Sequence, residues 1–71
     1  EAIRRGGNAA CVVNAANEVV NLAFRQEKCG LLQMAEIIQK TLDKVAYIKE
    51  PTLEDYLETD RIARLTATEF L

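Results

Sequence analysis

The residue types that most often carry catalysis are scarce in this 71-residue chain. It has no histidine to act as a base near neutral pH, and it has no serine to act as a nucleophile. Carboxylates such as Glu54, Asp55 and Glu58 are spaced as a solvated helix face. The nearest approach to a phosphate-binding loop is Gly6-Gly7, which is better explained as a helix stop. The sequence therefore predicts no catalytic, cofactor-binding or metal-binding residue.

Two cysteines, Cys11 and Cys29, are the remaining candidates for reactive chemistry. A structural zinc site takes four ligands, so two thiols without histidine are too few. Two cysteines also do not make the disulfide framework of a small secreted domain. The sequence lacks the basic segment followed by an apolar one that marks a secretory signal. We therefore expect two reduced thiols in a cytoplasmic protein.

The balance of charge limits the classes of partner. The net charge of -2 comes from nine basic and eleven acidic residues, and no block of like charge stands out. A protein that binds nucleic acid needs a basic patch to neutralise phosphates, and this chain has none. The longest uncharged stretch, from Gly6 to Asn17, is too short to span a bilayer. We therefore expect neither nucleic acid nor a membrane as a partner.

Helical periodicity and capping residues predict three main helices, over about residues 8–27, 32–45 and 52–69. Asn8 and Thr52 are candidate N-caps, and Pro51 favours an extended connector before the third helix. Residues 1–5 are good helix formers stopped by glycine, and we expect them to be the tail of a longer helix. The predicted fold is all-α, a single domain over residues 1–71 with the architecture of a truncated four-helix-type bundle.

The faces of these helices predict how they pack. The first helix is apolar over more than half of its circumference, so we expect neighbours on at least two of its sides. The third helix has a predicted inward face made of seven residues: Leu53, Tyr56, Leu57, Ala63, Ala67, Phe70 and Leu71. Asp60 and Arg64 fall in the middle of this face and can pair along the helix or reach to the first helix. Ile62 and Leu65 point away from it, as ordinary exposed residues or as a second contact surface.

Asparagine is unusually dense in the first helix, where Asn14, Asn17 and Asn21 occur within eight residues. Asparagine competes for backbone hydrogen bonds, so it is a poor residue for a helix interior. Val-Asn-Ala-Ala-Asn also resembles the ADP-ribose-binding segment of macro domains, but there a glycine-rich loop follows, and here the next glycine is Gly30. The helical repeat instead predicts a structural polar seam formed by five residues: Asn14, Asn17, Glu18, Asp60 and Arg64.

Asn17 is the seam residue that we expect to be partly buried, because it borders the apolar arc beside Val13 and Phe24. A partly buried amide needs hydrogen-bond partners, which backbone carbonyls or other seam residues would supply. On this interpretation Asn17→Leu disturbs packing, whereas Asn14→Ala has a much smaller effect.

A family resemblance is carried by three runs of residues: Gly6-Gly7-Asn8-Ala9, Val13-Asn14-Ala15-Ala16-Asn17-Glu18-Val19 and Ala23-Phe24. Downstream, Pro51 to Asp55 resembles the start of the last helix in that family, and Asp60 to Arg64 resembles its Asp-x-x-Ala-Arg segment. Together they resemble the C-terminal domain of 1-deoxy-D-xylulose 5-phosphate reductoisomerase over nearly the whole chain. The proline that the family often has near position 10 or 11 is replaced here by Ala10 or Cys11.

This resemblance implies that the chain is the C-terminal fragment of a larger enzyme. The family rearranges and reduces 1-deoxy-D-xylulose 5-phosphate to 2-C-methyl-D-erythritol 4-phosphate, in the non-mevalonate route to isoprenoid precursors. It uses NADPH and a divalent metal, Mg or Mn, which the resemblance places in the N-terminal and central domains. Those two domains are then the expected partners of this fragment, and the fragment alone is not expected to be active.

Two further expectations concern partners. If the first bundle helix is represented only by residues 1–5, a groove along the central helix is left open, and chains can fill it by self-association. The alternative function is a free-standing helical interaction module that displays Ile62 and Leu65 to another protein.

Overall fold

The computed structural model describes residues 6–71 and contains three α-helices in this range, α1 (Ala9–Arg25), α2 (Leu31–Lys44) and α3 (Leu53–Glu69). All three predicted helices are present, with ends within two residues of those expected, and no strand occurs among the described residues. The all-α prediction is therefore confirmed. The predicted helical stub at residues 1–5 lies outside the described residues. Of the three helices, none is both long and apolar enough to cross a membrane.

Helix α1 ends two residues earlier than predicted, and the turn that follows it contains a left-handed residue that is not glycine. Glu27 has φ 60°, its N–H bonds to the Phe24 carbonyl at 3.0 Å, and the Lys28 N–H bonds to the Ala23 carbonyl at 2.8 Å. These two bonds form a Schellman motif, which satisfies carbonyls that the helix end would otherwise leave unpaired. Gly30 occupies the N-cap position of α2.

Helix α3 begins as the sequence predicts. The Thr52 hydroxyl accepts a hydrogen bond from the Asp55 N–H at 3.1 Å, and the Asp55 carboxylate accepts one from the Thr52 N–H at 2.9 Å. This reciprocal pair is a capping box, and it satisfies two donors at once. Glu54 and Asp55 also bring negative charge to the first turn, where the helix dipole favours it.

Helix α1 packs against both of the other helices. Asn8, just before α1, bonds to Thr59 in the first half of α3, and Glu18 meets Arg64 further along, so α1 and α3 run parallel. Asn8 also bonds to Ala46, which follows the end of α2, so α2 runs antiparallel to both. The core has two clusters, one of Ala9, Val12, Ala15, Leu42, Val45 and Ala63, and one of Ala16, Val20, Ile37 and Ala67.

The buried face of α3 differs from the predicted one. Its buried residues are all small: Thr59, Ala63, Thr66 and Ala67. Phe70 is half-buried, and four members of the predicted face are exposed: Leu53, Tyr56, Leu57 and Leu71. The reason is that alanines on α1 and α3 share the same clusters, so the two helices approach closely and the larger side chains stay at the edge. Ile62 and Leu65 are exposed, as the sequence predicts.

Candidate functional site

Three of the five predicted seam residues meet between α1 and α3. Arg64 Nε donates to Asp60 Oδ2 at 2.9 Å, and Arg64 Nη2 donates to Glu18 Oε1 at 2.7 Å. Arg64 therefore both pairs along its own helix and reaches to α1. We call this group the Glu18–Arg64–Asp60 triad. Because the Glu18 carboxylate belongs to α1 and the other two side chains belong to α3, the triad joins the two helices.

The triad lies at the surface. Its side chains are 60%, 43% and 44% exposed for Glu18, Arg64 and Asp60. Hydrogen bonds from the guanidinium to Asp60 and then to Glu18 raise the pKa of Arg64 above its usual range, so this residue stays charged at every pH that proteins tolerate. Two carboxylates against one guanidinium leave a net charge of -1. Water and salt screen such a group, so its contribution to stability is small.

The other two predicted seam residues do not join the triad. Asn14 and Asn17 are exposed, and the Asn17 side chain accepts a hydrogen bond from Asn21 Nδ2 at 3.0 Å on the same helix. The expectation that Asn17 is partly buried is therefore wrong. Of its two supposed apolar neighbours, Val13 is half-buried against the core and Phe24 is 41% exposed. The buried residues of α1 cover a smaller part of the helix circumference than its apolar residues do.

Asn8 connects the start of α1 to the segment after α2 and to α3, although the sequence predicts it only as a helix cap. Its side chain makes no capping hydrogen bond and is completely buried. Nδ2 donates to the Ala46 carbonyl and to Thr59 Oγ1, both at 3.0 Å, while Oδ1 accepts from the Ile48 N–H at 2.8 Å. The Asn8 N–H also bonds to the Ile48 carbonyl at 3.0 Å. We call this group the Asn8 node.

The Asn8 node depends on the glycine before it. Gly7 has φ +58°, a left-handed conformation, and a Cβ at this position would collide with the Ile48 carbonyl oxygen. Gly6 has φ +71°, but nothing lies within 4 Å of a Cβ built there. The two glycines are therefore not equivalent, since only Gly7 lets the backbone approach the connector between α2 and α3.

The two cysteines are free thiols. Cys11 is half-buried, and its Sγ lies 3.6 Å from the Tyr56 carbonyl oxygen. Partial burial raises the pKa of the Cys11 thiol, the negative charge of Asp60 raises it further, and Arg64 opposes both effects. Cys29 is buried against the Val20 carbonyl. Within residues 6–71 no three side chains of His, Cys, Asp or Glu are grouped so that they could hold a metal ion.

A largely apolar surface surrounds the triad. At one end Leu53 and Leu57 are 75% and 65% exposed, and at the other Leu22 and Leu71 are 51% and 45% exposed. An open groove of about 240 Å³ lies at this second end, between α1 and α3. We call this surface the α1–α3 face, formed by the following residues: Cys11, Glu18 and Leu22 on α1, and Leu53, Leu57, Asp60, Arg64 and Leu71 on or just after α3. Such a surface is suited to packing against another element.

These features define an α-helical domain whose described side chains offer a packing surface and two polar links between helices. The family model described as the DXP reductoisomerase C-terminal domain matches residues 1–66. The chain belongs to this family, and the resemblance noted in the sequence is confirmed.

Curated relatives agree with the family match. A 1-deoxy-D-xylulose 5-phosphate reductoisomerase from Phocaeicola vulgatus is 55% identical over 71 residues, which is 100% of this chain and 19% of that protein. The enzymes of the same name from Bacteroides thetaiotaomicron and Zymomonas mobilis are 45% and 42% identical, over 100% and 94% of this chain and 18% and 17% of their own lengths. The chain thus spans about a fifth of these relatives. No solved structure matches it significantly.

Proposed function

We propose that this chain is the C-terminal structural domain of an NADPH-dependent 1-deoxy-D-xylulose 5-phosphate reductoisomerase. The complete protein would form 2-C-methyl-D-erythritol 4-phosphate in the cytoplasm, in the non-mevalonate route to isoprenoid precursors. The observation that carries this proposal is the 55% identity, over the whole chain, to a relative of that name. The same identity favours this function over a free-standing interaction module.

The role of the domain in that enzyme is architectural. The family resemblance implies that NADPH and the divalent metal bind in the N-terminal and central domains, so we derive no step of the reaction from this chain. The exposed leucines supply the contact surface instead. Packing them against the other two domains removes apolar area from water, which stabilises the protomer and supports the catalytic domain.

The test is an activity assay on the complete protein that contains this chain. We expect the purified protein to oxidise NADPH only when 1-deoxy-D-xylulose 5-phosphate and Mg²⁺ or Mn²⁺ are both present. A matched variant that lacks residues 6–71 should lose most of this turnover. A complete, folded protein that leaves NADPH unoxidised with this substrate would contradict the proposed reaction, and full turnover of the shortened variant would contradict the architectural role.

When the 71-residue chain is studied alone, we propose that it self-associates weakly at high concentration. The reason is that its exposed leucines then have no other domain to contact. Sedimentation velocity across a range of concentrations measures this directly. A strict monomer at the highest concentration would rule it out.

A further inference from the structure

We infer that three asparagines of α1, namely Asn14, Asn17 and Asn21, form a docking strip for an extended backbone segment of the complete protein. We call them the amide strip. Their side chains would hydrogen-bond to the N–H and C=O groups of a segment that lies outside residues 1–71. The inference rests on the proposed function only in that the chain is one part of a longer protein. It adds a contact made by polar side chains, separate from the exposed leucines.

The three asparagines share one side of α1, because they follow one another in steps of three and four residues. The strip covers about 10 Å of helix axis, which is the length of about three residues of extended chain. Phe24 continues the same side after a further step of three, and it is 41% exposed. An apolar side chain of the docked segment would pack on this ring at the end of the strip.

Helix α1 has few charged residues for a helix with a solvated outer side. It carries only Glu18 and Arg25, and Glu18 is held in the triad. Helix α2 has four charged residues in a shorter helix, and α3 has seven. A helix surface that stays in water usually consists of charged residues that also favour helix formation. Asparagine is unfavourable in a helix, so three of them cost stability that hydrogen bonds to another segment would offset.

The hydrogen bonds inside the amide strip leave one donor group beside one acceptor. Asn21 Nδ2 donates to the Asn17 carbonyl at 2.8 Å and to Asn17 Oδ1 at 3.0 Å. Asn17 Nδ2 and Asn21 Oδ1 have no partner among the described residues, and neither has the Asn14 amide. A donor beside an acceptor matches one residue of an extended segment, which can exchange both an N–H and a C=O bond with its neighbour.

Three observations favour a backbone segment of the same protein as the occupant. The relatives are about five times longer than the chain, so most of their polypeptide lies outside it. A second copy of the described residues offers little backbone, because most of its N–H and C=O groups are bonded within three helices. The strip itself carries no formal charge, so it suits neutral peptide groups better than charged side chains.

Thiol labelling of the complete protein tests whether the amide strip is covered. Asn14→Cys and Glu36→Cys are introduced separately, because both side chains are exposed in this domain. The reaction of each thiol with a maleimide is followed by mass spectrometry. We expect Asn14→Cys to react at least several-fold more slowly than Glu36→Cys in the native protein, and the two to react at similar rates in urea. Equal rates in the native protein would overturn the inference.

Hydroxyl-radical oxidation needs no substitution, so it keeps the test decisive if Asn14→Cys does not fold. This chain has two phenylalanines, and Phe24 is more exposed than the half-buried Phe70. Phe24 would therefore react faster than Phe70 if nothing covered this side of α1. We expect the opposite order in the complete protein, with Phe24 several-fold slower. Faster oxidation of Phe24 than of Phe70 would overturn the inference.

Protein concentration distinguishes the two possible occupants. Protection by a segment of the same protein is independent of concentration, so we expect the labelling rate of Asn14→Cys to stay constant on dilution. Protection that appears only as the concentration rises, together with a larger species in sedimentation, would assign the strip to a second copy and overturn the choice of occupant.

A change of side-chain chemistry tests the role of the amides. Asn17→Asp keeps the shape of the side chain, but a carboxylate accepts hydrogen bonds and cannot donate them at neutral pH. In the complete protein we expect this change to make labelling at Asn14→Cys several-fold faster. Gln39→Glu makes the same change at an exposed amide of α2 and should leave that rate unaltered. An unaltered rate in Asn17→Asp would overturn the role of the amides.

The outcome is independent of the proposed function. An active reductoisomerase in which Asn14→Cys and Glu36→Cys react equally would refute the docking alone. An inactive complete protein with a protected amide strip would refute the reaction alone.

Discussion

The Asn8 node and the Glu18–Arg64–Asp60 triad both link α1 to α3 through polar side chains, yet they differ in surroundings. The node is a neutral amide with no exposed surface, and both ends of the amide have partners. The triad carries three charges, and each of its side chains is at least 43% exposed. Its hydrogen bonds are as short as those of the node, so distance alone does not rank the two groups.

Burial decides which of the two matters more to stability. Removing one partner of a buried hydrogen bond leaves the other without water to replace it, and each such group costs about 1–3 kcal/mol. An exposed group recovers most of its hydrogen bonds from solvent, and salt weakens the attraction between its charges. The node is therefore expected to stabilise the isolated domain much more than the triad does. The following predictions test this difference, from the largest effect to the smallest.

Asn8→Ala is expected to be the most destabilising change. It leaves the Ala46 carbonyl, the Thr59 hydroxyl and the Ile48 N–H without their partner, which should cost about 4 kcal/mol. A domain of this size has roughly 4–11 kcal/mol of stability, so the variant would be close to unfolded. Urea denaturation followed by circular dichroism measures the effect. A loss below about 1 kcal/mol would remove the distinction between node and triad.

Gly7→Ala should be the second largest change, at about 2–3 kcal/mol. The added Cβ meets the Ile48 carbonyl oxygen, and the left-handed backbone is itself unfavourable for alanine. Gly6→Ala is the matched control, because it has the same backbone penalty without the collision and should cost about 1 kcal/mol. The same denaturation experiment compares them, and equal losses would show that Gly7 does not hold the connector in place.

Arg64→Met should lower the melting temperature of the isolated chain only slightly, and the difference should shrink in 1 M salt. It removes the bonds to Glu18 and Asp60 and leaves those two carboxylates without their shared cation. Arg61→Met is the control, since Arg61 pairs with Glu58 within α3 and links no other helix. Calorimetry at low and high salt makes the comparison. A drop for Arg64→Met as large as that for Asn8→Ala, and independent of salt, would contradict the screening argument.

Asn17→Leu and Asn14→Ala should each change the free energy of unfolding by no more than about 0.5 kcal/mol, because both side chains are exposed. This differs from the expectation based on the sequence, in which Asn17→Leu disturbs packing. Thermal denaturation of the two variants distinguishes these two expectations. A clear loss for Asn17→Leu alone would mean that this side chain has a packing role in the isolated domain.

Local features of the sequence predicted the helices well, but they could not predict the partners of the polar residues. Thr52 and Asp55 lie three residues apart, so their capping box could be read directly. The triad was only partly predictable, since the four-residue spacing indicated Asp60 with Arg64 but left the contact with Glu18 open. Asn8 could be read as a cap, but its partners lie 38 to 51 residues away, and no local pattern identifies them.

The sequence by itself determined the three helices, the α3 cap, the absence of histidine and serine, and the family. These depend on spacing within a few residues or on residue types, which the chain shows without folding. Only the tertiary structure decided which polar residues are buried and which leucines are exposed. The physical reason is that alanines on α1 and α3 share the same clusters and let the helices approach closely. That close approach leaves Leu53 and Leu57 outside the core, keeps Asn8 inside it, and brings Glu18 to Arg64.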